Sequence, residues 1–370
     1  MSDLRKQLLK GKRPAYGLER ISESFTDKDD PEVDPSPKRG ENMMWRHEFH
    51  QMRDSLFPKK DKFYRDANHF VQTYYLPPSS DEMPVLVCHH GAGSSSSTFL
   101  AFVSELKKLS QSECPGVFLF DMFGHGKSSE REQEDFHLDA LTSDFTFVVE
   151  EFIKRANPGE ICFIGHSLGG SVMTNFIMNA NIEGLSVSGL VLLDIVEETA
   201  VRSLSTIPSF LKTRPQKFCL YEDALNWHLQ SRLLRNEESA RLSIHDIFVE
   251  DDEGYLTWRS NLELMAPFWD SWFTGMSENF VRCGSSSQNI AKLLILAGDE
   301  SLDKKLIIGQ MQGKYQLIVF NNTTDVGHFI QEDVPSKLSI SIMEFLKRHD
   351  FGYKGRKEFS IKTLWGGNVH

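Results

Sequence analysis

The chain has 370 residues, enough for one large domain or two smaller ones. It carries 41 Lys and Arg against 52 Asp and Glu, a net charge of −11, which argues against general nucleic-acid binding, where a basic surface supplies most of the affinity. Hydrophobic residues make up 40%, with 27 Phe, ample for a large core; no stretch approaches the roughly 18 apolar residues of a membrane-spanning helix.

The opening MSDLRKQLLKGKRP has no apolar h-region, so no secretory signal is expected. Residues 1–42 hold few aromatics and run through ESFTDKDDPEVDPSPKRGEN, the composition of a solvated, disordered tail. Cys88, Cys114, Cys162, Cys219 and Cys283 are odd in number and form no C-x-x-C pair. That fits reduced thiols in an intracellular setting, cytoplasmic or nuclear.

Order is expected from Met43. Phe70–Tyr75 reads as a strand closed by Pro77-Pro78. Short apolar runs then alternate with helical spacing: VLVC at 85–88, a helix over 99–109, VFLF at 117–120, a helix over 138–156, ICFI at 161–164, a helix over 171–179, and GLVLLD at 189–194. KLLILA at 292–297, QLIVF at 316–320 and a helix over 338–349 complete the series. This alternation predicts an α/β fold, a mostly parallel sheet of about eight strands with helices on both faces. It stops between about 201 and 290, a stretch holding Trp227, Trp258, Trp269, Trp272 and the acidic run Glu250-Asp251-Asp252-Glu253. A helical cap insert is predicted there, over the carboxyl edge of the sheet, where open α/β sheets bind ligands. Its aromatics fit a cap core, and any exposed ones a peptide-binding wall. The ordered domain is thus expected over 43–352, followed by a tail over 353–370.

Gly165-His166-Ser167-Leu168-Gly169 fits G-x-S-x-G, with a strand before it and a helix after it. The serine of such a motif sits on a sharp, strained turn, so flanking side chains must be absent. Ser167 is therefore the expected nucleophile, and the amide of Leu168 an expected oxyanion donor at the helix start. His89-His90-Gly91-Ala92-Gly93 resembles the HG-type loop that supplies a second donor, here the amide of Ala92. The two histidines are expected to shape that loop, and Ser94–Ser97 to form a flexible turn. Asp121-Met122-Phe123-Gly124-His125-Gly126-Lys127-Ser128 reads as a structural turn, which leaves His125 a weak candidate base. His328 follows the last strand in Val326-Gly327-His328-Phe329 and is the expected base, since the base comes last in this chain order. The acid has three candidates. Asp299 and Asp303 follow the penultimate strand but flank the position a G-x-x-D pattern would fill, which is Ser301. Asp194 closes the strand GLVLLD, where a buried carboxylate needs a partner such as the His328 imidazole, and it is favoured.

Together these segments resemble the protein phosphatase methylesterases, α/β-hydrolases, over about residues 43–352. CHHGAG (88–93), GHSLGG (165–170) and GHFIQEDVP (327–335) say only hydrolase; DIVEETA (194–200) and DKKLIIGQMQGK (303–314) single out the family. The resemblance implies an α/β-hydrolase fold, no cofactor and no metal, with Ser167, Asp194 and His328 matching the family's triad. It implies a serine hydrolase that removes the methyl ester from the C-terminal leucine of the protein phosphatase 2A catalytic subunit, alone or in its core enzyme, through an acyl-enzyme. Neither nucleic acid nor a membrane is an implied partner. Two other readings are open. A small-molecule carboxylesterase would share the triad and turn over simple esters freely. A non-catalytic phosphatase-binding protein would bind equally well without Ser167.

Overall fold

The computed structural model describes residues 39–179, 185–284, 290–298, 301–321 and 324–351. Its strands are β1 (Lys59–Tyr64), β2 (Phe70–Leu76), β3 (Val85–His89), β4 (Gly116–Phe120), β5 (Ile161–His166), β6 (Val187–Leu193), β7 (Lys217–Phe218), β8 (Phe248–Glu250), β9 (Leu256–Trp258), β10 (Ala291–Ala297) and β11 (Gln316–Phe320). Eight form one sheet in the order β1-β2-β4-β3-β5-β6-β10-β11. The β1–β2 and β2–β4 pairings are antiparallel, and every pairing from β4 to β11 is parallel. The expected mostly parallel sheet is therefore present. β1 was not anticipated. Its sequence KKDKFY buries only Phe63, and an edge strand protected by charge leaves little apolar signal to read.

β3, β4, β5 and β6 are buried along their whole length, as parallel strands covered on both faces must be. Alternation then sorts the side chains. Val85, Val87, Phe118, Phe120, Leu190 and Leu192 face one layer, with Phe145 and Phe176 from the helices Leu138–Ala156 and Leu168–Asn179. Leu86, Cys88, Val117, Leu119, Val191 and Leu193 face the other, with Phe102 and Phe345 from the helices Leu100–Ser110 and Pro335–Arg348. Each large apolar side chain buried this way contributes roughly 1.5–3 kcal/mol. The two layers thus fix the sheet, and with it the strand ends that carry the site.

A helix, Arg39–Leu56, precedes β1 and begins ahead of the expected start at Met43. Asn42 is buried and ties it to the insert, donating to the Cys219 carbonyl at 3.0 Å and accepting from the Tyr221 amide at 3.1 Å. Of the expected tails, residues 1–38 and 353–370 lie outside the described residues.

The insert between β6 and β10 is not wholly helical, which corrects the sequence reading. Helices such as Glu197–Leu204, Tyr221–Gln230 and Glu237–Ser243 share it with a three-stranded sheet of order β7-β9-β8. The acidic run is the tip of the β8–β9 hairpin. Asp251 Oδ1 accepts from the amides of Gly254 (2.8 Å) and Tyr255 (2.9 Å), and Gly254 takes φ +97°. A short side-chain carboxylate that binds its own turn is what such a tip needs. Three-residue strands are too short to show their alternation. Trp227 and Phe218 belong to a separate small core of this insert, around Tyr221, Leu225 and Ile244. No helix among the described residues is long and apolar enough to cross a membrane.

Candidate active site

Ser167 follows β5 with φ +52°, left-handed for a non-glycine residue. Its amide donates to the Leu193 carbonyl at 3.1 Å, and its carbonyl accepts from the Gly170 amide at 2.9 Å. Both motif glycines are required by space. A Cβ at Gly165 would lie 2.6 Å from the Gly170 nitrogen, and one at Gly169 would meet the His89 carbonyl. The helix Leu168–Asn179 starts immediately after the serine, which puts the amides at its N-terminus next to Ser167.

Asp194 follows β6, the neighbouring strand, with φ +50°. Its amide donates to the Ile295 carbonyl at 2.8 Å, its Oδ1 accepts from the Ala297 amide at 2.8 Å, and its Oδ2 is 2.8 Å from His328 Nδ1. The carboxylate is 6% exposed while the imidazole is 47% exposed. The buried acid thus fixes a ring whose far side reaches solvent. An imidazole held in this way keeps its proton on Nδ1 and presents Nε2 as a base. Ser167, Asp194 and His328 all line one cavity of about 180 Å³. Among the described residues no hydrogen bond joins Ser167 Oγ to His328 Nε2.

Ser167 and His328 also line a second, more apolar cavity of about 200 Å³, with Ala92, Leu168, Leu262 and three of the cap tryptophans, Trp258, Trp269 and Trp272. The cleft therefore has two lobes that meet at the serine. Among the described residues neither the Ala92 nor the Leu168 amide donates a hydrogen bond within the protein, so both are free to bind a developing oxyanion.

The histidines before Ala92 are structural. His89 is bonded to the His90 carbonyl at 2.8 Å, and His90 Nε2 accepts from the Met122 amide at 3.0 Å. His125 is fully enclosed and accepts from the Gly93 amide at 3.1 Å, which removes it as a base. Burial pushes His89 down to about 4 and His90 and His125 to about 3, so all three are neutral near pH 7. Ser94–Ser97, expected as a flexible turn, are instead buried. Their small hydroxyls and amides meet buried carboxylates: Ser96 N donates to Asp121 at 2.7 Å and Ser97 Oγ to Asp246 at 2.5 Å.

Of the other acid candidates, Asp303 is buried away from the cleft. It caps the helix Lys304–Met311 by accepting from the Leu306 amide at 3.0 Å, and it accepts from Ser277 Oγ at 2.5 Å. Asp299 lies outside the described residues.

Three contributors escaped the sequence reading. His166, the variable residue of the motif, is bonded through Nε2 to the His328 carbonyl at 2.9 Å. Asp333 accepts from the Gly327 amide at 2.7 Å and the Arg235 amide at 2.8 Å, joining the histidine loop to the cap. Glu332 accepts from Thr98 Oγ1 at 2.5 Å and Ser243 Oγ at 2.6 Å. Burial pushes Glu332 up to about 8 and Asp333 up to about 6. The adjacent acids after His328 were the available signal.

Residues 86–339 match the model of the Alpha/beta hydrolase family. A protein of Debaryomyces hansenii named protein phosphatase methylesterase 1 is 44% identical over the full length of both chains. Its Candida albicans namesake is 39% identical, again over both full lengths. The chain belongs to the protein phosphatase methylesterase family. It is accordingly a carboxylic ester hydrolase. The methylesterase of Saccharomyces cerevisiae is 39% identical over 80% of this chain and 74% of its own. Among solved structures, E-2-(acetamidomethylene)succinate hydrolase superposes with a TM-score of 0.61 at 15% identity, covering 78% of this methylesterase-family chain and 99% of its own. A Mycobacterium tuberculosis esterase gives 0.57 at 16%, covering 81% and 97%. These last two share the fold.

The cleft holds no cluster of metal-ligating side chains among the described residues. Among the described residues the one grouping of that kind, Asp66, His69 and Glu132, lies elsewhere, with both carboxylates exposed.

Proposed function

We propose that this chain hydrolyses the methyl ester on the C-terminal leucine of the protein phosphatase 2A catalytic subunit, with Ser167 as nucleophile, His328 as base and Asp194 as acid. The observation that carries the chemistry is the 2.8 Å contact between His328 Nδ1 and Asp194 Oδ2 in a cavity that Ser167 also lines. His328 takes the proton from Ser167, whose oxygen attacks the ester carbonyl. The Ala92 and Leu168 amides stabilise the oxyanion. Methanol leaves with the proton from His328, and a water activated by the same imidazole releases the acyl group as a free carboxylate. Asp194 holds the tautomer and stabilises the imidazolium.

The substrate assignment rests on the names of the curated relatives together with the apolar lobe beside Ser167, which suits a leucine side chain. The proposed catalytic domain is 43–352 with the cap over about 201–290, and the proposed setting is the cytoplasm or nucleus. The test is methanol release from methylated phosphatase 2A core enzyme by wild type and Ser167→Ala, with a p-nitrophenyl ester alongside. Release by wild type alone is expected. Turnover of the simple ester with the phosphatase left methylated would discard the substrate and keep the hydrolase. Equal association of both forms with the phosphatase and no methanol from either would instead favour a binding protein.

A further inference from the structure

The cap places one group in the cleft that the triad chemistry leaves unused. Arg235 lies between the helices Tyr221–Gln230 and Glu237–Ser243 and lines the same cavity as Ser167, Asp194 and His328. Its side chain is 13% exposed. Nε and Nη1 are both buried and have no hydrogen-bond partner. Leaving a charged donor in that state is costly.

Two carboxylates lie nearby; Asp333 forms a loose ion pair with the guanidinium, and neither accepts a hydrogen bond from Nε or Nη1. Asp333 Oδ2 is 3.7 Å from Nη1, outside hydrogen-bond reach. The Asp333 oxygens accept instead from the Gly327 and Arg235 amides, and those of Asp194 from Ala297 and His328. All four oxygens thus hold the catalytic loop and strand ends in place.

The guanidinium occupies the space that a side chain at position 327 would take. Gly327 does not adopt a left-handed φ, so its backbone does not demand glycine. A Cβ there would collide with Arg235 Nη1, so the absent side chain makes room for the arginine beside the histidine loop. A second cation, Arg232, lines the same cavity; it is exposed and donates to the Thr324 carbonyl at 3.3 Å.

We propose that Arg235 is a carboxylate-binding subsite of the cleft, which pairs with a carboxylate of the peptide whose ester lies at Ser167. This deepens the proposed function and rests on it. A planar guanidinium matches a carboxylate with two parallel donors, and a charge-assisted bond in a site shielded from water is among the stronger ones. The carboxylate has two sources. One is an acidic side chain in the residues before the ester. The other is the terminal carboxylate that hydrolysis creates, since the ester is neutral and the product is charged.

The test is the Kd of short leucine-terminated peptides for Ser167→Ala protein, which binds without turnover. Four peptides are compared: methyl ester or free acid, each with Asp or Asn among the preceding residues. The expected result is an acid form that binds about tenfold tighter than its neutral counterpart, the size of a charge-assisted hydrogen bond. That preference should fall to near unity in Ser167→Ala/Arg235→Gln and survive in part in Ser167→Ala/Arg235→Lys, which separates loss of charge from loss of fold. Preference for free acid over ester assigns the product carboxylate; preference for Asp over Asn assigns a side chain. Equal Kd values for all four peptides, no binding by any, or a preference that persists in the Gln variant would overturn the subsite. Methyl release from the methylated phosphatase by wild type, run alongside, reports separately on the reading beneath it. Its absence with the carboxylate preference intact would remove the substrate and leave the subsite.

Discussion

On the sheet side of the cleft, Ser167 and Asp194 extend the strand ladder. Their amides donate to Leu193 and Ile295, and the strands beneath them are buried between two apolar layers. On the cap side, the ties to the rest of the molecule include, beside the packing of Trp269, Trp272 and Phe273, a set of buried carboxylates: Asp246 with Arg53 at 2.5 Å, Glu332 with Ser243 at 2.6 Å, and Asp333 with the Arg235 amide at 2.8 Å. Backbone bonds inside an apolar core do not titrate. Buried carboxylates do, and what they hold depends on their protonation state. Ser167 and Asp194 are therefore set by the part of the molecule least sensitive to conditions. The wall that meets the substrate is set by the more sensitive part.

The largest effect should come from the sheet side. Ser167→Ala is expected to lower kcat on the order of a million-fold, measured on either substrate, with folding unchanged. Asp194→Asn should lose roughly ten-thousand-fold, because the imidazole loses its tautomer. Asp303→Asn is the control that sharpens this. It keeps the helix cap, since Asn caps about as well as Asp, and should alter kcat far less. If Asp303→Asn proved the more damaging in steady-state assays, the acid would be misassigned.

On the cap side, Arg53→Met leaves Asp246 buried with its main partner gone. Denaturant titration should report a loss of about 3–5 kcal/mol. A loss under about 1 kcal/mol would show that the cap is not held through this pair.

The smallest effect is one of pH. Glu332 has a folded pKa near 8, raised by burial above the ordinary glutamate value. The folded state therefore holds the proton more tightly than the unfolded state. The stability this group contributes is complete below the unfolded pKa, about 4.3, and is lost as pH rises toward 8. Thermal melts of wild type should fall across that window, and Glu332→Gln should flatten the fall. Parallel melting curves for the two proteins would remove Glu332 from the account.

What could be read in advance follows the same division. Runs such as VLVC and ICFI are continuous because their strands are covered on both faces, so the parallel sheet was legible. The candidate residues Ser167, Asp194 and His328, which line one cavity, were legible because each closes a strand or follows one on a loop. The edge strand Lys59–Tyr64 and the hairpin around Gly254 were not, since one is charged and the other too short for a period to show. The polar ties were hidden for a different reason. Arg53 and Asp246 stand 193 residues apart, Thr98 and Glu332 stand 234 apart, and no local pattern marks such pairs. Arg235 looks like one more charge at the start of a helix until Gly327 is seen beneath it.

The most direct test of this division compares two variants on two substrates. Asp194→Asn alters the catalytic side; Ile207→Ala trims a half-buried cap residue that lines both lobes. Each is assayed for kcat/KM on methylated phosphatase 2A core enzyme and on a p-nitrophenyl ester. Asp194→Asn is expected to lose both activities in proportion, and Ile207→Ala to lose activity on the phosphatase while keeping most of it on the simple ester. Proportional loss on both substrates in Ile207→Ala, or full activity on either in Asp194→Asn, would contradict this division.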